Sequence, residues 1–432
     1  MSTAADILVN STLVDNLHPK AVFNNMSKVK IGIIKEGKIP IDKRVPLTPF
    51  QAKQVKEKFP EVEIVAQTSD IRCFSDEDYE SENIPVVKNV DDCDILLGVK
   101  EVPIPELIEG KTYFFFSHTI KKQTYNQKLL RTILDKKIKM IDYETLTDQA
   151  GKRIIAFGRW AGIVGAYNGI WTFGKRYNLF DLRRASECFD LDDLKTEYAK
   201  VKLPPIKIAL TGGGRVAKGA MEVLMGMNIR KVTPAAFVNE RFDFPVFTQL
   251  NTRDYNTRKD GTPFSRHDFF KNPENYESSF LQYAQVSDIL IAAAYWDPHA
   301  PVLFKREDVL HNDFKTNIIA DITCDIEGSI PSTKQPSTIE DPIYDFNPSD
   351  NVVEAPLTDE GNITVMAVDN LPCELPRDAS ESFGNELLNN VLPELLGDDS
   401  KGVIKRATIT ENGDLTEKYE YLRDYAEGRI VP

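Results

Sequence analysis

Short apolar runs alternate along the chain with longer charged segments, and this alternation is the main indication of its fold. In the first third of the chain, runs of the length of buried strands lie at residues 28–34, 62–66, 95–99, 113–116 and 139–142. Charged segments with a helical pattern separate them, such as residues 123–137, and another helix is expected to begin near Thr48-Pro49. Strands that alternate with helices predict a parallel sheet covered by helices.

A second series of apolar runs occupies residues 206–210, 231–233, 289–293 and 317–321. Between the two series, residues 156–169 are rich in glycine and alanine, which favours a tightly packed helix that joins two domains, with a hinge at Phe157-Gly158. Residues 243–278 have no clear periodicity, and we interpret them as an insertion. The helical pattern of residues 384–421 suggests that the end of the chain packs back on the first domain.

The second series opens with a strand, a glycine-rich turn and a helix. The turn reads Gly212-Gly213-Gly214-Arg215-Val216-Ala217, the Gly-x-Gly-x-x-Ala pattern of dinucleotide sites. Gly212 permits the tight turn, Gly214 lets a pyrophosphate approach the backbone, and Ala217 lets the helix lie close to the strand. The first helical amides are then aimed at the phosphates. The alternative is an ordinary turn between a strand and a helix, but the flanking elements favour a dinucleotide.

These patterns predict an α/β fold with two Rossmann-like domains, each a parallel sheet flanked by helices, and an active-site cleft between them. We place the first part of a substrate domain at residues 1–155, with an N-terminal extension or oligomer arm at 1–27. The dinucleotide-binding domain is placed at 156–371, with its insertion near 243–278. Residues 372–432 are expected to return to the first domain.

The composition excludes several classes of protein. The formal net charge of the 432 residues is −13, which argues against a nucleic-acid-binding protein. The longest apolar run, residues 289–296, is far shorter than the roughly 20 residues of a membrane-spanning helix. The five cysteines form no CxxC pair and the N-terminus lacks the features of a secretory signal, so we expect a cytoplasmic protein without disulfides. His267, His299 and His311 show no metal-ligand spacing with cysteine or glutamate, and we assign no metal.

The sequence does not clearly show which residues would bind the ribose of the nucleotide. We interpret residues 231–233 as the second strand of the dinucleotide-binding domain, and no acid ends it to bind a ribose 2′-hydroxyl. Glu240 is the next acid and comes late. Arg215 and Lys231 can instead accept a 2′-phosphate. The choice between NAD and NADP therefore stays open at this point.

Ionisable residues repeatedly follow the apolar runs of the first domain. They are Lys35-Glu36, Lys100-Glu101, His118 and Glu144. Ligands of open α/β sheets bind beyond the carboxyl ends of the strands, so these groups are expected to face one cleft. Charges also flank strands simply because loops are solvated, but the repetition favours a site. His118 is a candidate acid–base group near neutral pH, and Lys100 becomes a candidate base if burial lowers its pKa.

The same stretches carry a resemblance to a known family. They lie at residues 35–49, 98–103, 115–121, 141–144, 151–162, 320–330 and 367–381. The chain resembles the alanine dehydrogenase/transhydrogenase-like superfamily over about residues 30–425. Within it, the chain is similar to the lysine-forming saccharopine dehydrogenases and to the lysine–oxoglutarate reductase half of aminoadipic semialdehyde synthase. The resemblance implies a reversible condensation of lysine and 2-oxoglutarate to saccharopine, with reduction by a nicotinamide cofactor.

The resemblance also implies roles for individual residues. Proton transfers fall to Lys100 and His118. Arg44 and Arg153 match the positions that bind substrate carboxylates, and Glu101 and Glu144 match those near the amines; Glu144 is also expected to tune the acid–base pair. The positions implied for the cofactor beyond the glycine-rich turn are Ala293, Tyr295, Asp321, Thr323, Asp369 and Leu371.

Segment 243–278 resembles the reductase half of the synthase more than the compact dehydrogenases, which tilts the cofactor toward NADP. Small-molecule substrates are the expected partners, and homo-oligomerisation stays open. The alternatives are an alanine dehydrogenase-like or other opine or amino-acid dehydrogenase, and a nucleotide-sensing protein without turnover.

Overall fold

The computed structural model describes residues 28–429. The extension predicted at residues 1–27 lies outside the described residues. The strands are β1 (Val29–Ile33), β2 (Val62–Gln67), β3 (Val86–Val87), β4 (Ile95–Leu97), β5 (Thr112–Phe115), β6 (Lys139–Asp142), β7 (Lys207–Thr211), β8 (Arg230–Lys231), β9 (Val246–Leu250), β10 (Asn256–Arg258), β11 (Tyr276–Ser278), β12 (Ile289–Ala292), β13 (Ile318–Asp321), β14 (Ile343–Asn347), β15 (Val352–Glu354), β16 (Ile363–Met366), β17 (Thr408–Glu411) and β18 (Asp414–Leu415).

Helices connect these strands and cover the sheets. They are α1 (Pro49–Lys58), α2 (Asp76–Ser81), α3 (Thr124–Asp135), α4 (Gly158–Arg176), α5 (Leu191–Thr196), α6 (Arg215–Gly226), α7 (Pro234–Asn239), α8 (Arg266–Lys271), α9 (Leu281–Ala284), α10 (Arg306–Val309), α11 (Pro376–Glu386), α12 (Leu392–Leu395), α13 (Val403–Ala407) and α14 (Arg423–Ala426). Between residues 28 and 429, no helix has the length and apolar character needed to cross a membrane.

The first sheet has eight strands in the order β18-β17-β6-β5-β4-β1-β2-β3. The six strands from the first part of the chain are parallel. The last two come from the C-terminal part, and β17 pairs antiparallel with β6. Side chains alternate between two buried faces, so that Phe114 and Phe116 pack on one face and Tyr113 and Phe115 on the other.

The second sheet has the order β15-β14-β16-β13-β12-β7-β9-β8. Neighbouring strands pair in parallel from β8 to β16, and β14 pairs antiparallel with both β16 and β15. Two separate apolar clusters cover its two faces. Two parallel-rich sheets flanked by helices confirm the predicted α/β class with two Rossmann-like units.

Two interpretations from the sequence need correction at the edge of this sheet. The prediction that residues 231–233 form the second strand is wrong, because β8 covers only two exposed residues at the sheet edge. The strand beside β7 is β9, which lies inside segment 243–278 and pairs with β7 over five residues. The buried Val246 and Phe247 place it in the sheet. The insertion that follows this strand is therefore residues 251–278, which include the β10–β11 hairpin.

Helix α4 packs unusually closely against α6. A Cβ on Gly162 would lie 1.9 Å from the Val216 carbonyl oxygen, and one on Gly219 would lie 2.0 Å from the Arg159 carbonyl oxygen. Real Cβ atoms essentially never come this close to a neighbour. The glycines therefore let the joining helix hold the start of α6 in place, directly behind the glycine-rich turn.

Candidate active site

The predicted strand-end residues lie at the carboxyl edge of the first sheet. Glu36 follows β1, Lys100 follows β4, His118 follows β5 and Glu144 follows β6. Because these four strands are parallel, their ends meet at one edge. Lys35 is exposed, whereas the Glu36 side chain is buried. The structure thus places these four predicted residues at the same edge of the sheet.

The Glu101 carboxylate connects His118 and Lys38 at this edge. Its Oε1 lies 2.6 Å from His118 Nδ1, and its Oε2 accepts a hydrogen bond of 2.7 Å from Lys38 Nζ. Burial raises the pKa of Glu101, but His118 and Lys38 outweigh burial and bring the pKa to about 2. The carboxylate is therefore ionised and acts only as an acceptor, so His118 Nδ1 donates to it. Nε2 of the ring is not used in this contact and is left to exchange protons.

The backbone places His118 in an uncommon conformation. Its φ is 53°, in the left-handed region, immediately after the Phe115–Phe116–Ser117 run. The ring stacks on Phe116 with centroids 6.3 Å apart. The buried Asp142 carboxylate holds Ser117 by accepting from its backbone N–H at 3.0 Å. These contacts aim the imidazole at Glu101.

Lys100 is half-buried beside the same cluster. Burial and the Arg44 guanidinium lower its pKa, and Asp42 opposes them. Glu36 fixes the backbone here, since its two carboxylate oxygens accept from the amides of Val99 at 2.6 Å and Lys100 at 2.8 Å. A lysine with a lowered pKa in a held position can accept a proton closer to neutral pH than an exposed lysine can.

Arg44 is fully buried, and its surroundings differ from those of a free guanidinium fork. Nε and Nη2 donate to Asp42 at 2.9 and 2.5 Å, Nη2 also donates to Asn370 Oδ1 at 3.0 Å, and the group stacks on Phe157 at 4.1 Å. We expected Arg44 to hold a substrate carboxylate with a fork. Within residues 28–429, Asp42 already occupies that fork, so Nη1 is the donor left for a ligand.

Glu144 has a buried oxygen without a partner in the part of the chain that the structure describes. Its other oxygen lies 3.7 Å from Arg153 Nη1 and 3.8 Å from Lys121 Nζ. Arg153 also donates from Nε to the Ile155 carbonyl at 3.0 Å. A buried carboxylate oxygen without a donor costs about 1–3 kcal/mol, so this position suits an ammonium group of a ligand.

The glycine-rich turn forms between β7 and α6, as the sequence predicted. Gly212 has a φ of 98°, and a Cβ there would lie 2.7 Å from the Ala293 carbonyl oxygen, so this position requires glycine. A Cβ on Gly214 would meet nothing within 4 Å. The backbone is thus open to a close ligand at Gly214, and the first amides of α6 have no partner within the helix.

A cavity of about 850 Å³ opens in front of this turn. Gly212, Gly214, Arg215, Val216, Ala293 and Tyr295 line it, together with residues of segment 251–273. The size is suitable for a large part of a dinucleotide. The turn, the free amides and the cavity fit a nicotinamide dinucleotide, which these residues would hold by its pyrophosphate.

Other residues expected at the cofactor are not among those that line this cavity. Ala217 is buried against the core. Asp321 turns inward and accepts hydrogen bonds from Thr323 and Thr333, so that Asp321 and Thr323 shape the loop after β13. Leu371 is buried in the core, and Asp369 is exposed. Their roles at a cofactor stay predictions.

Two models of known protein domains match this chain. The model of the alanine dehydrogenase/PNT N-terminal domain matches residues 32–164, and that of the C-terminal domain matches residues 194–418, which is more than half of the chain. The chain belongs to the alanine dehydrogenase/PNT family. It is therefore a member of an oxidoreductase family whose dehydrogenases use NAD(P).

Among individual proteins, the chain is similar to aminoadipic semialdehyde synthases. The chain is 30% identical to the mitochondrial alpha-aminoadipic semialdehyde synthase of Mus musculus over 90% of its length and 47% of the synthase. It is 27% identical to the synthase of Arabidopsis thaliana over 91% of the chain and 41% of that protein. The chain thus spans about half of the length of these relatives.

A further relative is matched by this chain over nearly the whole length of that relative. The saccharopine dehydrogenase [NAD(+), L-lysine-forming] of Emericella nidulans is 24% identical over 85% of the chain and 92% of that enzyme. The expected cytoplasmic location stays a prediction, since the name of the mouse relative includes "mitochondrial".

Solved structures support the fold of the family. An L-alanine dehydrogenase superposes with a TM-score of 0.58 at 15% identity, covering 92% of this chain and all of that chain. A transhydrogenase from Sinorhizobium meliloti gives 0.55 at 13% identity, covering 90% of this chain.

Sequence reasoning missed the partners that orient the predicted groups. Lys38 and Asp42 lie in the loop after β1, and they pair with Glu101 and Arg44. Lys121 approaches Glu144. The sequence offers one signal for them, namely a run of charges within a few residues of a strand end. That signal does not indicate which charges pair, because the loop path is set by tertiary contacts.

Proposed function

We propose that this chain catalyses the reversible, NAD(P)-dependent reductive condensation of L-lysine and 2-oxoglutarate to saccharopine. The observation that carries the proposal is the Glu101–His118 pair beside Lys100, at the edge of the first sheet. The similarity to aminoadipic semialdehyde synthases and to a lysine-forming saccharopine dehydrogenase supports the choice of substrates.

The reaction needs proton transfers that this arrangement can supply. The ε-ammonium group of lysine must lose a proton before its nitrogen attacks the oxo carbon, and neutral Lys100 or His118 Nε2 can accept that proton. The resulting carbinolamine loses water when the protonated group returns a proton to the leaving hydroxyl. This loss of water leaves a protonated imine, and a reduced nicotinamide, when bound, would supply the hydride that turns it into the secondary amine of saccharopine.

Charged side chains would hold the two substrates. The unpartnered oxygen of Glu144 would accept from a substrate ammonium, while Arg153 and the free Nη1 of Arg44 would each donate to a carboxylate. Glu101 would stay ionised throughout the reaction, because its pKa of about 2 lies far below neutral pH. It would therefore stabilise the imidazolium that forms when His118 accepts a proton.

NADP(H) is the proposed cofactor in preference to NAD(H). In Rossmann folds that select NAD, an acid near the end of the second strand binds the ribose hydroxyls. Here β9 ends at Leu250 and is followed by Asn251-Thr252-Arg253. An arginine at this end favours a phosphate over a free hydroxyl.

The deciding assay follows the oxidation of NADPH and of NADH in parallel with lysine plus 2-oxoglutarate, and detects saccharopine by mass spectrometry. Ammonia plus pyruvate, and other amines with 2-oxoglutarate, form the matched substrate panel. Turnover that requires both lysine and 2-oxoglutarate supports the proposal. Turnover with ammonia and pyruvate alone would assign the chain to the alanine dehydrogenase-like alternative, and nucleotide binding without any turnover would favour a sensing protein.

A further inference from the structure

The position of β9 next to the glycine-rich turn determines which residues surround the adenosine end of a dinucleotide. Thr211 and Leu250 are paired in the sheet, and the Gly212 amide donates to the Leu250 carbonyl at 2.8 Å. A Cβ on Gly213 would lie 2.8 Å from Asn251 Oδ1. The residues that follow β9 therefore stand directly beside the turn, where the adenine ribose lies in this kind of fold.

The acids near this position are engaged by the protein itself. Asp254 accepts from the Asn251 amide at 2.7 Å and lies 3.8 Å from Arg253 Nε. The hairpin acids Asp260 and Asp268 lie 3.1 and 3.4 Å from Arg258. No acid of residues 251–278 lines the cavity; Asp297, which does line it, lies after β12 and accepts from the His299 amide at 2.9 Å. This segment therefore presents to the cavity no carboxylate that would bind the ribose hydroxyls or repel a 2′-phosphate.

Two arginines that line the cavity make no hydrogen bond in the described residues, and Arg253 has only its long contact of 3.8 Å with Asp254. The side chain of Arg253 is 72% exposed, and Arg266, at the start of α8, contacts the Phe270 ring at 5.7 Å. Neither guanidinium donates a hydrogen bond to another residue within 28–429. Both line the same cavity as Gly213 and Gly214.

The two cations that the sequence suggested for a 2′-phosphate have other partners. Arg215 donates to the Arg153 carbonyl, toward the first sheet, at 2.6 Å. Lys231 donates to Gln249 Oε1 at 2.7 Å, and Gln249 in turn donates to the Gly212 carbonyl at 3.0 Å. These contacts leave Arg253 and Arg266 as the available cations of the cavity wall.

We propose that Arg253 and Arg266 form the subsite for the 2′-phosphate of NADP(H), with the loop after β9 and helix α8 as its two walls. This inference rests on the proposed function only in so far as a nicotinamide dinucleotide occupies the glycine-rich turn. Arg253 and Arg266 would then set the choice between NADP(H) and NAD(H), the role that the sequence suggested for Arg215 and Lys231. A guanidinium is well suited to a dianionic phosphate, because it donates several hydrogen bonds from one planar group.

The test measures binding rather than turnover. Isothermal titration gives Kd values of the full chain for NADPH and NADH, and for adenosine 2′,5′-bisphosphate and adenosine 5′-diphosphate as short probes. The variants are Arg253→Ala, Arg266→Ala and the double variant, with Arg241→Ala as the matched control, since Arg241 is exposed and does not line the cavity. Thermal unfolding of each variant checks that it is folded.

We expect each cavity variant to weaken binding of NADPH and of the 2′,5′-bisphosphate by about 10- to 100-fold, the range for a lost charged hydrogen bond. Binding of NADH and of the 5′-diphosphate should change less than twofold, and the control should bind all four like the original chain. Equal losses for both members of a pair, or no loss for the 2′-phosphorylated member, would overturn the subsite. Absence of turnover with lysine and 2-oxoglutarate would refute the proposed reaction and leave this binding result standing.

Discussion

Lys100 is the residue whose substitution tests the chemistry most directly. We expect Lys100→Met to lower turnover by about 10²- to 10⁴-fold, the usual contribution of a general acid–base group, with little change in nucleotide affinity. Because burial and Arg44 lower the pKa of Lys100, activity that depends on its neutral amine should fall as the pH drops through that pKa. The variant should lose this limb of the pH–rate profile. Steady-state kinetics between pH 6 and 10 would measure both effects.

The control for this experiment is Lys88→Met, since Lys88 is an exposed lysine that follows β3 of the same sheet. It should keep the turnover and the pH profile of the original chain. Unchanged turnover in Lys100→Met would remove Lys100 from the mechanism and leave His118 as the remaining acid–base candidate.

The ionised carboxylate of Glu101 is expected to contribute to the free energy of unfolding. Its pKa of about 2 in the folded chain lies below the ordinary 4.5, so the ionised form stabilises the fold above pH 4.5 and this stabilisation is lost as the pH falls toward 2. We expect Glu101→Gln to lower the free energy of unfolding by up to ~3 kcal/mol at pH 7. The difference should shrink below pH 4.5. Urea unfolding at pH 7 and at pH 3.5 would measure it.

The exposed Glu63, which pairs loosely with Lys28 at 3.4 Å, provides the control. Glu63→Gln should change stability by less than about 1 kcal/mol at either pH. A Glu101→Gln effect of the same size at both pH values would contradict a stabilisation that depends on ionisation.

At this scale the sequence predicted which residues stand at the sheet edge but not how they interact. Lys100 and His118 follow apolar runs, and parallel strands bring such positions to one edge, so their neighbourhood was predictable. Arg44 was predicted as a free carboxylate binder. Its fork is held by Asp42, two positions earlier, and such a local pairing depends on the path of the loop and not on spacing.

Among the elements, strands with uniform apolar runs were predictable and the pair β8–β9 was not. The runs Ile206–Leu210 and Ile289–Ala293 have three or more buried aliphatic residues each, and they form central strands. β9 has Thr248 and Gln249 in its second half and is followed by a polar loop. It is buried because β7 and β8 flank it, which no local periodicity reveals.

The close contact of α4 and α6 should be sensitive to a single methyl group. We expect Gly219→Ala to lower the free energy of unfolding by about 1–3 kcal/mol, because the new Cβ would lie 2.0 Å from the Arg159 carbonyl oxygen and the helices must separate. Gly214→Ala is the matched control, since its Cβ would meet nothing within 4 Å. Chemical denaturation would compare the two. Equal stability of both variants would show that the helices separate without cost.

On the scale of the whole molecule, the segment after β16 links the two sheets. Asn370 binds Arg44 and Asp42 in the loop after β1, the Val45 amide donates to Ser380 Oγ at 2.9 Å, and β17 continues the first sheet. The chain therefore leaves the second sheet and contacts the loop after β1 before it rejoins the first sheet. A ligand near Arg44 would therefore lie beside a segment that is anchored in both sheets.

Folding, nucleotide binding and chemistry can be separated in the intact chain by the effect of NADPH on the stability of two variants. A ligand that binds only the folded state stabilises it by about 2.7 kcal/mol at one hundred times its Kd. We expect NADPH to raise the stability of the chain and of Lys100→Met by this amount. Gly214→Val should be as stable as the original chain without nucleotide, because its side chain points into open space. It should gain nothing from NADPH, since the valine fills the place of the pyrophosphate.

Thermal unfolding of the three proteins with and without NADPH would measure these differences, with adenosine as a control ligand that lacks the pyrophosphate. If Gly214→Val were stabilised like the original chain, the pyrophosphate would lie away from the turn, and the cavity beside Arg253 would lose its assignment as well. If Lys100→Met lost the stabilisation, Lys100 would contribute to nucleotide binding, and its loss of turnover would no longer identify an acid–base group. The proposed reaction requires that each variant lose one property and keep the other.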